Sequence, residues 1–460
     1  MNLHRLLLQR AADRNPLRVA LIGAGKFGSM FLSQARHTPA MHVVAVVDLD
    51  LTRARGSLAR VGWSPEQYEA RTLEMALRSG STCITDDSLS AIASDTIDIV
   101  IDATGSPAAG IRHALACADN GKHIVMVNVE ADALAGPLLA KRARQAGVVY
   151  SLAYGDQPAL ICEMVDWARA AGFEVVAAGK GTKFLPTYHD STPDTVWGHY
   201  GFTREQVESG DFNPQMFNSF LDGTKSCIEM AAVSNATGLT PAPSGLGFPA
   251  CGTDSLPRVL KPSSEGGVLH HRGQVEVVSS LERDGTPVLR DLRWGVYVTF
   301  AGDSDYVRRC FNEYGLLTDE TGNYTAMYKP YHLIGLELGI SVASVGLRRE
   351  ATGAPEEFRA DAVAVAKRDL SSGATLDGEG GYTVYGRLMP AADSLHAGAL
   401  PIGLAHGVKL TRAVNKGQPV TWDDIVAPDS QAVRTRREME LFQTANTAPR
   451  QNVAPELLRS

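Results

Sequence analysis

Several lysines and acids stand where they could polarise a carbonyl, move a proton or hold an anion. Lys180 and Lys183 lie in Gly179-Lys-Gly-Thr-Lys183, which reads as a glycine-rich turn after a strand. One lysine there could polarise a substrate carbonyl or transfer a proton, and the other could bind an anion. The plainer reading is two solvated loop lysines. Lys225 and Glu229 are four positions apart in an apolar run, so they share one face of a helix. They read equally as a pair aimed into a cleft and as an ordinary surface pair. Asp222 either orients Lys225 or is a turn residue ahead of that helix. Asp156, next to Gln157, and Glu130 each follow a strand-like run. Each reads as a contact to substrate or cofactor, or as structural. Lys329 is a phosphate-binding candidate, and His332 reads as a core or capping histidine. Glu130, Asp156, Glu163 and Glu229 offer oxygen ligands to a hard cation. No two of them have diagnostic ligand spacing, and a metal stays unknown.

The elements that must position these groups begin at Leu17. A β-branched strand leads into Gly23-Ala-Gly25-Lys26-Phe27-Gly28, then a helix, then a second strand ending at Asp48. Gly23 permits the tight turn, Gly25 the approach of a pyrophosphate, and Gly28 close packing of helix on strand. The helix N-terminus supplies N–H donors, including those of Lys26 and Phe27, to the phosphates. Asp48 stands where an acid accepts hydrogen bonds from the adenosine ribose, which favours NAD(H). Arg53 and Arg55 follow and could neutralise a 2′-phosphate, or be plain helix-surface charges. Further strands end at Thr104-Gly105 and at Asn128-Val-Glu130. Strands alternating with helices predict a doubly wound parallel sheet, with ligands bound beyond the carboxyl ends of its strands. Gly23–Gly28, Asp48, Thr104, Gly105, Asn128 and Glu130 then share one edge.

The expected organisation is an α/β chain of four parts: a dinucleotide-binding domain over 1–154, an α+β catalytic and dimerisation domain over 155–355, a small β-rich module over 356–428, and a polar tail over 429–460. In the second part, Gln274–Leu281, a turn at Asp284-Gly285 and Val296–Ala301 predict antiparallel strands. A net charge of −7 argues against nucleic-acid or membrane-surface partners. Six cysteines without a C-x-x-C pair read as reduced thiols. No signal peptide or membrane span is read, so the expected location is the cytoplasm and the expected partner a small molecule.

With these residues in view, the chain resembles homoserine-dehydrogenase-like oxidoreductases that carry a C-terminal SAF module, the DXP-reductoisomerase-like family. The carrying segments are Val127–Ala133, Tyr154–Ala159, Gly179–Lys183, Phe217–Lys225, Tyr328–Gly335 and Asp361–Leu370. The resemblance implies an NAD(P)-dependent oxidoreductase in three parts, NADP(H) somewhat before NAD(H), and a homodimer or higher homo-oligomer. It raises one specific activity: reductive isomerisation of 1-deoxy-D-xylulose 5-phosphate to 2-C-methyl-D-erythritol 4-phosphate. Lys180 or Lys225 would then stabilise the developing oxyanion, and Lys183 and Lys329 would anchor the phosphate. The alternatives are a polyol or sugar-acid dehydrogenase without isomerisation, and a non-catalytic nucleotide- or carbohydrate-sensing protein. Homoserine dehydrogenases have an Asn-Lys pair where this chain has Asn128-Val129, and an Asp and a Lys where it has Lys225 and Glu229. A cation in place of that anion is a poor site for an amine, so a hydroxylated or phosphorylated substrate is expected rather than homoserine. Ordinary DXP reductoisomerases use a divalent metal, and no matching acidic motif is present.

Overall fold

The computed structural model describes residues 2–209 and 212–447. Six parallel strands form the first sheet: β1 Leu17–Ile22, β2 Met41–Val47, β3 Cys83–Thr85, β4 Ile99–Asp102, β5 His123–Met126 and β6 Tyr150–Leu152. Their order is β3-β2-β1-β4-β5-β6, the dinucleotide-binding arrangement. Both faces are covered, which is why the strands read as mostly apolar runs without strict alternation. Val19, Leu21 and Ile101 pack on one face, and Ala20, Ile22 and Val100 on the other. The short strand β3 and the helix Ser88–Ala93 were not foreseen from sequence.

A second sheet holds β7 Glu174–Thr182, β8 Gln274–Ser279, β9 Val296–Ala301 and β10 Tyr324–Lys329 in the order β10-β9-β7-β8. Two expectations are corrected here. The strands β8 and β9 do not form a hairpin; β7 lies between them, parallel to β8 and antiparallel to β9. And Lys180 is not in a turn. It sits inside β7, opposite Val277 and Val296. The flanking glycines serve close packing instead. A Cβ on Gly179 would stand 1.8 Å from the Glu276 carbonyl oxygen, and one on Gly181 1.9 Å from that of Leu292.

The helix Thr224–Thr237 runs through the centre of the molecule. It packs on the helices Val129–Gln145 and Gln157–Ala170 and on strands of the C-terminal module. Gly238, with φ +75°, stops it as the sequence suggested. The helix Gly339–Arg348 returns to the first sheet, where Val342 and Val345 join the same core as Val19 and Leu21. This helix therefore packs with the first domain, although the sequence reading placed it in the second. The C-terminal module pairs β11 Ala360–Ala366 with β13 Val384–Pro390, and β12 Thr375–Asp377 with β14 His406–Lys409. Of the expected polar tail, residues Gln431–Thr447 form a helix docked on the first domain, and 448–460 lie outside the described residues. Among the described residues no helix is long and apolar enough to cross a membrane.

Candidate active site

The glycine turn has the geometry its three glycines suggested. Gly23 has φ +102°, and a Cβ there would meet the Ala103 carbonyl oxygen at 2.5 Å. A Cβ on Gly28 would lie 2.3 Å from the Gly23 carbonyl oxygen, so only glycine lets this helix sit against the turn. A Cβ on Gly25 would meet open space. Gly25 is also the N-cap of the helix Lys26–Ala35, and no side chain caps that end. Open approach and free N–H donors suit a pyrophosphate.

Asp48 closes β2, and its Oδ2 accepts from the Ala24 N–H at 2.8 Å, tying it to the glycine turn. Its Oδ1 accepts from the Asp50 N–H at 2.9 Å and from Arg53 at 2.5 Å. Burial works against the Asp48 charge, but these bonds outweigh it and hold the carboxyl below its ordinary value. Arg53 thus sits on Asp48, half exposed. Asp48 and Arg53 form one unit, and a 2′-phosphate would have to draw Arg53 away from its carboxylate.

Asn128 caps the helix Val129–Gln145 through the Ala131 N–H at 3.1 Å. Its amide donates to the Ser106 carbonyl at 2.7 Å and the Thr104 hydroxyl at 3.1 Å. The side chain proposed for cofactor contact is therefore spent on holding the Thr104–Ser106 loop at the sheet edge.

Beyond that edge lies a cavity of about 550 Å³, lined by Thr104, Gly105, Asn128, Glu130, Asp156, Lys225, Glu229 and Glu379 among others. A second cavity of about 440 Å³ adjoins it, lined by Lys26, Lys180, Lys183, Arg293 and the aromatic rings of Tyr200, Phe217 and Trp294. Phe27, Gln157, Met216, Phe220, Glu229, His332 and Ile334 border both, so the two are halves of one cleft between the first and second sheets.

The halves differ in charge. In the first, Lys225 pairs with Glu130, and between the halves Lys180 pairs with Glu229. The Lys225–Glu229 pair is thus crossed: both side chains reach the cleft, but each binds a partner on another element. Lys225 is held well above its ordinary value. Burial opposes its charge, and Glu130, Glu379, Glu229 and Asp156 together outweigh burial. Asp156 caps the helix Gln157–Ala170, accepting from the Gln157 N–H at 2.9 Å. Burial, and then the Glu229 anion, push its carboxyl up to about 7, with Lys225 opposing. The second half is cationic. Lys183 donates to the His199 carbonyl at 2.6 Å, and burial and then Arg293 lower its affinity for a proton. Among the described residues neither Lys183 nor Arg293 is in an ion pair.

Two expected substrate contacts do not reach this cleft. Asp222 is fully buried, accepts from the Thr224 N–H at 2.9 Å and pairs with Lys367 of the C-terminal module at 2.7 Å. It starts the central helix and locks a domain junction, and it does not orient Lys225. Lys329 pairs with Glu337 at 2.7 Å and lies over the Tyr154 ring. Three lining groups were missed. Glu379 comes from the C-terminal module, and its one signal is an acid between glycines in Asp377-Gly-Glu-Gly-Gly381. Arg293 follows β8 in a loop with no motif. His332 was read as structural, yet it borders both halves, donating through Nδ1 to the Trp294 carbonyl at 2.7 Å. Burial lowers its basicity and favours the neutral ring. Among the described residues no three His, Cys, Asp or Glu side chains are grouped to hold a metal.

Residues 17–127 match the oxidoreductase family with an NAD-binding Rossmann fold, 155–338 the catalytic domain of oxidoreductase DRL, and 361–426 the SAF domain. The chain is an oxidoreductase enzyme with a nicotinamide-dinucleotide-binding domain, a DRL catalytic domain and a SAF domain. It is similar to 1-deoxy-D-xylulose 5-phosphate reductoisomerase of Pseudomonas putida, 27% identical over 223 residues that make up 46% of this chain and 52% of that protein. The protein of the same description from Pseudomonas fluorescens is 28% identical over 235 residues, 46% of this chain and 58% of that one. The matches thus span little more than half the length of these curated relatives. Among solved structures, an NAD-binding oxidoreductase from Klebsiella pneumoniae aligns with a TM-score of 0.28 at 20% identity, over 38% of this chain and 45% of that one.

Proposed function

We propose that the protein reduces a small, polyhydroxylated, anionic carbonyl compound with NAD(P)H, and that reductive isomerisation of 1-deoxy-D-xylulose 5-phosphate is its reaction. The observation that carries this reading is the charge division of the cleft. Carboxylates and a lysine line the half at the sheet edge, where hydroxyls find acceptors. Lys26, Lys183 and Arg293 line the other half, where a phosphate finds charge-assisted donors. The likeness to the Pseudomonas reductoisomerases points the same way.

Thr104, Gly105 and Glu130 at the sheet edge would hold the nicotinamide, which would supply hydride to the carbonyl carbon. Lys225 and Lys180 then face developing negative charge on the substrate oxygen from preset positions. Their carboxylate partners fix those positions. Phe27, Phe220 and Ile334 line the junction of the halves with apolar surface. Glu130 and Glu229 are already neutralised by lysines, and among the described residues no three His, Cys, Asp or Glu side chains are grouped to hold a metal. That same observation favours a second reading, a sugar-acid or polyol dehydrogenase, for which a lysine alone can serve as electrophile. A carboxylate substrate would use the same cationic half.

The test is oxidation of NADPH and of NADH in the presence of 1-deoxy-D-xylulose 5-phosphate, with and without magnesium, and mass identification of the product. Formation of 2-C-methyl-D-erythritol 4-phosphate is expected. Cofactor binding without turnover of this compound, together with turnover of a sugar acid, moves the assignment to the second reading.

A further inference from the structure

We propose that the SAF module completes the active site, with Glu379 holding the proton that the substrate oxygen takes up on reduction. The inference rests on the reductase reading of the cleft. It begins with the loop that carries Glu379. Gln215 donates to the Asp377 carbonyl at 3.1 Å and to the Glu379 carbonyl at 2.9 Å, and Asn218 donates to the Gly380 carbonyl at 2.8 Å. Lys367 ties the Gly381 carbonyl, at 2.8 Å, to the Ser191 carbonyl, at 2.7 Å. Gly380 has φ +66°, and a Cβ there would stand 2.0 Å from the Gln215 carbonyl oxygen. The loop is therefore fastened to the catalytic domain by its backbone. The Glu379 side chain projects into the cavity beside Lys225 and Glu130.

The charge count around it is the second argument. Glu130, Asp156, Glu229 and Glu379 face two ammonium groups. Lys225 is taken by Glu130 and Lys180 by Glu229. Among the described residues, Asp156 and Glu379 are in no ion pair. Asp156 is buried and engaged as a helix cap. Glu379 is half-buried and opens onto the cavity, near Ser219, whose hydroxyl donates to the Met216 carbonyl at 2.8 Å. The groups acting on it are Glu130 from the helix Val129–Gln145, Lys225 from the central helix, Ser219 from the helix Pro214–Leu221, and Asp222 at the junction of the last two. Burial and then Glu130 push its carboxyl up to about 7, while Lys225 and Ser219 oppose them. A carboxyl so placed carries its proton near neutrality and can release it to a forming alkoxide.

The step balances. Hydride from the reduced nicotinamide forms the new C–H bond at the carbonyl carbon, and the C=O π pair moves to oxygen. That oxygen takes the Glu379 proton, leaving a carboxylate beside the Lys225 ammonium. Water returns the proton after product leaves. One carbonyl, one NAD(P)H and one proton give one alcohol and one NAD(P)⁺.

The test is Glu379→Gln, with Glu379→Asp as the second variant should the first not fold, assayed with NADPH and 1-deoxy-D-xylulose 5-phosphate. For Glu379→Gln the expected results are a kcat lower by ~100-fold or more, loss of the fall in kcat/KM above neutrality, and NADPH affinity within about twofold of wild type. For Glu379→Asp, that falling limb is expected to persist at a shifted pH. A carboxyl infrared band that titrates near neutrality in the cofactor-free wild type is expected to vanish in Glu379→Gln. Wild-type kcat with an unchanged falling limb in Glu379→Gln overturns the proposal, as does survival of every titrating carboxyl band. If wild type does not turn this compound over, the reductoisomerase reading fails by itself, and the infrared comparison still decides whether Glu379 carries the proton.

Discussion

Glu130 depends on Lys225, because without it this mostly buried carboxylate would face Glu379 with no cation paired to it. Lys225→Met is expected to lower kcat/KM by ~100-fold or more and to cost about 3–5 kcal/mol of stability. Adding Glu130→Gln should restore most of the stability, read by urea unfolding, and none of the rate. Equal recovery of both would make the pair purely structural. Asp156 makes a pH prediction. Burial and the Glu229 anion push its folded carboxyl up to about 7, so folding takes up a proton between its ordinary value and that one. Wild-type stability must then fall as pH rises through that window. Asp156→Asn keeps the helix cap and cannot ionise. Its stability relative to wild type should rise between about pH 4 and about pH 7 and level off above, and a constant difference would contradict the burial argument. The identities of these groups were legible because lysines and acids near strand ends are few. Their partners were not, since Lys180 meets Glu229 across 49 positions and Lys225 meets Glu130 across 95.

The element that best shows what local sequence conveys is the glycine turn with its flanking strand and helix. Gly23, Gly25 and Gly28 each have one steric reason, and all three reasons are visible at spacing alone. Gly28→Ala should push the helix off the turn and weaken NADPH binding by at least ~10-fold while leaving the second sheet intact, as measured by fluorescence titration and by circular dichroism. Unchanged affinity would mean that the 2.3 Å approach to Gly23 is relieved elsewhere. The segment around Lys180 shows the opposite. Glycines on both sides of a lysine look like a turn, yet here they let neighbouring backbone crowd against a central strand. Periodicity cannot separate these cases, because the crowding atoms, from Glu276 and Leu292, are about a hundred residues away. The same distance hid the insertion of β7 between β8 and β9.

At the scale of the whole molecule, three parts are fastened into one body by charges the chain brings together from afar. Arg436, on the C-terminal helix, is fully buried. It pairs with Asp361 of the SAF module and with Glu440, and donates to the Leu134 carbonyl of the first domain at 3.2 Å. Arg436→Met should cost about 3–5 kcal/mol, lower the melting temperature and loosen the SAF module first, seen as early hydrogen exchange in β11. Uniform exchange would deny the helix that clamping role. This fastening makes the SAF module a wall of the cleft, and it explains why domain-by-domain reading of the sequence stopped short of Glu379.

The most direct measurement is a single turnover of 1-deoxy-D-xylulose 5-phosphate with NADPH deuterated at the transferable C4 position. One deuterium in the new CH₂OH group of 2-C-methyl-D-erythritol 4-phosphate, at a rate strongly reduced in Lys225→Met, is the expected result. A product without deuterium, or labelled product formed equally fast by Lys225→Met, would contradict hydride transfer in a cleft worked by that lysine.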